Sequence, residues 1–130
     1  MSKSKNNEID IFLSDKDLRK QIMSIKTDST PLDAPKDWKV CNCFAIYELL
    51  ASQEAVEIMK ENYEAGGYGY GDAKQDLFEL ICKKFSFERE RYNHYLTNPD
   101  DIEKILMNGA KKAGAVANSV LTRVREKLGY

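Results

Sequence analysis

Gly66-Gly67-Tyr68-Gly69-Tyr70-Gly71 holds four of the chain's seven glycines. Backbone amides of a glycine-rich loop at a helix start can cradle a phosphate. A loop of that kind follows a strand and carries a lysine, then Ser or Thr, at the helix start. Here a helical pattern precedes the glycines and Asp72-Ala73-Lys74 follows them. The stretch therefore predicts a packed turn, with its tyrosines filling the corner. Cys41-x-Cys43 could start a zinc site, but a structural zinc wants four ligands. Only Cys82 and the lone His94 remain to complete it. Buried helix cysteines are the better reading, and no metal is expected. His94 has no Ser, Cys or paired acid at motif spacing and belongs on a helix surface or edge.

Lys83, Lys84, Arg89 and Arg91 cluster with Phe85, Phe87 and Tyr92, and Lys111 and Lys112 add charge further on. A solvated helix face is the common meaning of such a cluster. Basic residues beside aromatics also suit single-stranded RNA, where phosphates pair with cations and bases stack on rings. The net charge of -1 excludes recognition by global basic excess, so any nucleic-acid contact must be local.

Helices must position these groups. At 130 residues the chain is one domain's worth, with 32% charged residues suiting a helical protein with wide solvated faces. No run approaches the roughly 18 apolar residues of a membrane span. The polar N-terminus excludes a secretory signal. Three cysteines without a pairing pattern favour a reducing, cytoplasmic setting.

Residues 1–7 read as a loop or loose end. Ile9, Ile11 and Leu13 alternate with polar Asp10 and with Phe12, which predicts a short extended piece. Ser14 caps a helix over 15–25. Pro31 and Pro35 bracket a loop reaching Lys36. A second helix covers 42–51, presenting Cys43, Ile46, Tyr47 and Leu50. Ser52 caps a third over 53–64, with Ala55, Ile58, Met59 and Tyr63 inward and Gly66 ending it. Asp72 caps a fourth over 73–96. Asn98-Pro99-Asp100-Asp101 starts a fifth, with proline at its first position and acids in its first turn. It runs to Leu128, roughly 45 Å at 1.5 Å per residue. Its inner stripe includes Ile102, Ile105, Leu106, Gly109, Ala113, Val116, Val120 and Val124. The prediction is an all-α bundle of about five helices, the last two long ones forming an antiparallel pair.

Met1-Ser2-Lys3-Ser4 reproduces all but the first residue of the Lys-Met-Ser-Lys-Ser signature of class I aminoacyl-tRNA synthetases. The features that follow keep one family's order. They are Arg19-Lys20-Gln21-Ile22, Lys26-Thr27-Asp28-Ser29, the 41–50 helix, and Gly67-Tyr68-Gly69-Tyr70-Gly71 with Lys74 and Asp76-Leu77. Arg91-Tyr92-Asn93-His94 and Gly109-Ala110-Lys111-Lys112-Ala113 complete the series. Across essentially its whole length the chain resembles the C-terminal part of bacterial tryptophanyl-tRNA synthetase.

The resemblance implies two parts. Residues 1–13 would be the remnant of the signature loop and a linker, and 14–130 a helical tRNA- and anticodon-binding domain. In the family the loop closes over ATP, and its lysines stabilise charge on the pyrophosphate. Lys3 matches the loop's second lysine as the catalytic position. Ser2, Lys3 and Ser4 would be ATP-binding, with Mg2+ accompanying ATP in the full-length enzyme and neither expected on this chain. The family's partners are tRNA(Trp), the N-terminal catalytic domain and a second subunit of a homodimer. Lys74, Arg89, Arg91 and Lys111 are the candidates for RNA contact. The nucleotide-binding domain is absent from these residues, so the chain reads as a catalytically inactive fragment, and its start at the signature methionine fits an internal or misassigned start codon. A free-standing RNA-binding module or a protein-interaction bundle remains the alternative.

Overall fold

The computed structural model describes residues 8–130, and every regular element among them is helical. The chain forms two units, one ending at Arg89 and one starting at Glu90. The first holds helices α1 (Asp15–Met23), α2 (Asn42–Leu50), α3 (Gln53–Ala65) and α4 (Tyr70–Lys84), with a single 3-10 turn at Trp38–Val40. Helix α5 (Ser86–Thr97) begins in the first unit and ends in the second, which continues into α6 (Pro99–Leu128).

Local chemistry sets most helix starts. Ser14 Oγ accepts the Asp17 amide at 3.2 Å, and Ser52 Oγ accepts that of Ala55 at 3.4 Å, as the sequence predicts. Proline opens α6 and Gly129 closes it in the left-handed conformation, the expected asymmetry.

Helix α4 is the spine of the first unit. Its buried residues Ala73, Leu77 and Ile81 recur every four positions, which puts them on one stripe. They share the core with Leu18 and Ile22 of α1, Cys43 and Phe44 of α2, and Val56, Met59 and Tyr63 of α3. Each large side chain buried there contributes about 1.5–3 kcal/mol. Phe44 meets the Tyr63 ring edge-on at 5.7 Å between centroids, and Tyr63 meets Tyr68 and Tyr70 at 5.7 and 6.2 Å. The tyrosines of the glycine stretch therefore do pack the corner.

That corner closes on the proline loop. Gly67 N–H donates to Leu32 O at 2.9 Å. Gly66 has φ +77°, and a Cβ there would sit 2.5 Å from Asp33 O. Glycine is required at that position both by the backbone angle and by the approach.

Four expectations need correction. Residues 10–13 form a turn, not an extended piece, because Asp10 Oδ1 accepts the Phe12 amide and Asp10 O that of Leu13. Helix α4 starts inside the glycine stretch, because Asp72 Oδ2 accepts the Gly69 amide at 3.1 Å and so stands at the third helical position. The helix predicted over 73–96 is two helices. Phe85 leaves helical geometry at φ -106° and ψ 20°, with no proline or glycine to mark the break. On α3 it is Val56 that is buried, while Ile58 is 53% exposed. In the second unit no residue of α5 or α6 is buried. The apolar residues Ile102, Ile105, Leu106, Val116, Val120 and Val124 of α6 are exposed.

Candidate nucleic-acid interface

The four cations proposed for RNA contact have different surroundings. Lys74, on α4, donates to Met23 O at 3.2 Å, tying the end of α1 to α4. Arg89 donates to Ile11 O and to the Asp15 carboxylate, bracing the N-terminal turn. Both guanidinium arms are used inside the first unit.

Arg91 and Lys111 are exposed. Arg91 Nη2 donates to Tyr95 Oη at 2.8 Å, and its guanidinium lies 5.6 Å from the Tyr95 ring centroid. A guanidinium over a ring in this way makes a cation–π contact. The His94 ring meets Tyr95 at 5.5 Å, and His94 Nε2 lies 3.2 Å from Asp101 Oδ2. Lys104 Nζ donates to Asp101 Oδ1 at 3.1 Å. Lys104, and then His94, hold the Asp101 carboxyl below its ordinary range. Tyr95, half-buried on α5, thus carries the Arg91 guanidinium and the His94 ring beside it.

Two arrangements in the first unit had no clear sequence signal. Lys36 is 3% exposed. Its ammonium donates to Pro31 O, Leu32 O and Ala34 O at 3.1–3.2 Å, using all three of its hydrogens. It lies 5.6 Å from the Tyr70 ring centroid. Trp38 carries Lys39 and Lys60 at 5.4 and 4.9 Å from its ring centroid. The adjacency of Trp38 and Lys39 was the one hint in the sequence. A cleft of about 270 Å³ is lined by Lys26, Thr27, Asp28, Asn42 and Tyr70. Asp28 Oδ1 accepts the Thr30 amide at 2.9 Å and the Tyr70 hydroxyl at 2.8 Å. Thr30 first, and Tyr70 after it, lower the Asp28 pKa. Burial, then Asp28, push Tyr70 up to about 12.

No family model matches the chain. A tryptophan–tRNA ligase of Campylobacter jejuni strain RM1221 is 45% identical over 129 residues, covering 99% of this chain and 40% of the relative. That of Rhodopirellula baltica is 41% identical over the same share of both. The crystal structure of tryptophanyl-tRNA synthetase from C. jejuni, complexed with ADP and tryptophan, superimposes with a TM-score of 0.94. It is 45% identical and covers 100% of this chain and 41% of that one.

This chain matches the C-terminal region of tryptophan–tRNA ligases.

It spans about two fifths of the length of the ligases it matches. The all-helical class agrees with the tryptophanyl-tRNA synthetase match. Ser2, Lys3 and Ser4, the ligase signature positions, lie outside the described residues. Among the described residues no group of three or more His, Cys, Asp and Glu side chains is placed to hold a metal ion. No step through ATP is assigned to them. No helix among them is long and apolar enough to cross a membrane.

Proposed function

We propose that residues 14–130 are the helical tRNA-binding region of a cytoplasmic tryptophan–tRNA ligase, which activates tryptophan with ATP and Mg2+ and transfers it to tRNA(Trp). The observation that carries this is 45% identity across 99% of the chain to a ligase of that name. The relatives' other three fifths would supply the nucleotide-binding domain, and the whole enzyme would work as a homodimer. Lys3, with Ser2 and Ser4, would serve ATP only once joined to that domain, because a preorganised site is what gives such a lysine its effect. Alone, the chain would bind tRNA without forming the adenylate.

Within this region Arg91 and Lys111 are the phosphate contacts, since both are exposed. Lys74 and Arg89 keep their place as candidates through the elements they tie together. Fluorescence titration with tRNA(Trp) is expected to give salt-sensitive binding. Arg91→Ala and Lys111→Ala should each weaken it and lower the salt slope by about 1. Absence of tRNA binding would overturn the reading. Pyrophosphate exchange by this chain alone would overturn the placing of catalysis elsewhere.

A further inference from the structure

We propose that the turn joining α5 to α6 is a pH-sensitive joint: neutral His94 holds both Asn98 and Asp101, and protonated His94 keeps Asp101 but expels Asn98. The ring bridges the two helices. Its Nε2 lies 3.2 Å from Asp101 Oδ2 in the first turn of α6, and its Nδ1 lies 3.3 Å from Asn98 Nδ2 just before that helix. The His94 side chain is 55% exposed, so solvent can deliver the proton. It is the chain's single histidine, and imidazole is the side chain that ordinarily changes charge between about pH 5 and 8.

The partners fix the tautomer. Asn98 Nδ2 also faces His94 O at 2.9 Å and Thr97 Oγ1 at 3.0 Å. A carbonyl only accepts, so the nitrogen end of the amide must point this way. The Thr97 hydroxyl is itself directed at Asn93 O and His94 O, which leaves its lone pairs for Asn98. An amide nitrogen donates. Nδ1 therefore meets it with a lone pair, and the ring proton sits on Nε2, aimed at Asp101.

A second ring proton has only Nδ1 to occupy. An N–H there would point at the Asn98 amide hydrogens, donor against donor. The amide cannot turn over to meet it, because its oxygen would then face the His94 carbonyl. Asn98 is exposed and its side chain makes no capping bond to α6, so it is free to swing out. Asp101 acts the other way. Lys104 on its Oδ1 and His94 on its Oδ2 hold its carboxyl below the usual range, so it stays charged and keeps the imidazolium. Asp100 shares the first turn of α6. On α5 the Tyr95 ring lies 5.5 Å from that of His94, and Glu90 and Arg91 stand one turn earlier. Groups of these types ordinarily hold one charge state between about pH 5 and 8. A single proton on His94 therefore strengthens one tie across the turn and breaks the other.

Proton and nitrogen NMR on the full chain, from about pH 8 down to about pH 5, tests this. At the alkaline end the ring nitrogens should show the proton on Nε2, and the Asn98 side-chain amide should give a nuclear Overhauser contact to His94 Hε1. At the acid end that contact should be lost, along the same curve as the charge change of the ring. His94→Gln should abolish the pH response of the backbone amides of residues 98–101, since glutamine has no proton to gain. His94 is exposed, and unchanged far-UV circular dichroism confirms that the variant folds. A contact that survives at the acid end, or is missing at the alkaline end, would overturn the proposal. So would a ring proton on Nδ1 at the alkaline end, or amides that respond as before in His94→Gln. Neither result bears on the tRNA reading, which is judged by titration.

Discussion

Lys36 shows how much one residue can organise. A buried ammonium is costly unless every hydrogen is matched, and here three loop carbonyls match it. The Lys36 amide also donates to Tyr63 O at 2.7 Å, so the proline loop is anchored from backbone and side chain at once. Lys36→Met keeps the apolar stem but leaves the carbonyls without their donor. It should cost about 1–3 kcal/mol, read as a lower urea midpoint with an unchanged slope. Sequence reasoning reaches Lys36 only as the end of a loop, because its partners are main-chain atoms whose convergence is a product of the fold.

The Asp28–Tyr70 bond gives a residue-level pH dependence with two edges. Asp28 has its carboxyl pKa lowered on folding from 3.8. Its stabilisation is therefore present above that value and lost as the pH falls through the lower, folded one. Tyr70 has its pKa raised from 10.0 to about 12. Its share is complete below 10 and is lost as the pH rises through about 12. Thermal unfolding of Asp28→Asn beside the parent, followed from acid to alkaline pH, should show the gap between them narrow at the acid edge. Tyr70→Phe should show it narrow at the alkaline edge.

At the scale of elements, signals carried by neighbouring residues were legible and those carried by tertiary packing were not. Ser14 and Ser52 announced their helices because a cap is satisfied within one turn, and Pro99 announced its own because its ring suits the first helical position. Asp72 also announced a helix start, but its carboxylate reaches back to the Gly69 amide and not forward. The helix begins two residues before it, at Tyr70. Asp72→Ala removes that bond and should cost about 1 kcal/mol, seen as a lower thermal midpoint with faster amide exchange at the start of α4. The face of α3 was misjudged at Ile58 because apolar character alone does not say which side meets the core, where Val56, Met59 and Tyr63 lie. The break at Phe85 was invisible for a related reason, since nothing local interrupts the helical pattern there. The four candidate cations differ in their surroundings, which their spacing in the sequence did not reveal. Arg91 and Lys111 stand exposed, while Lys74 and Arg89 are taken up by partners 51 and 78 residues away in the chain.

For the molecule as a whole, the family was readable from the order of short motifs, above all the glycine–tyrosine corner, and the ligase relatives carry the same region at 41–45% identity. The buried residues all fall before Arg89, whereas α6 has none across its 30 residues. A solitary helix draws its stability from propensity and caps, and those are marginal in water without packing. One melting temperature therefore does not describe this chain. In deuterated buffer the amides of 99–128 should trade their hydrogens far sooner than those around Tyr63 and Leu77, in a separate kinetic class. Adding urea below the core's midpoint should erase ellipticity at 222 nm while the near-ultraviolet signal of the tyrosine corner persists. A single coincident transition from both probes would mean that the two units unfold as one.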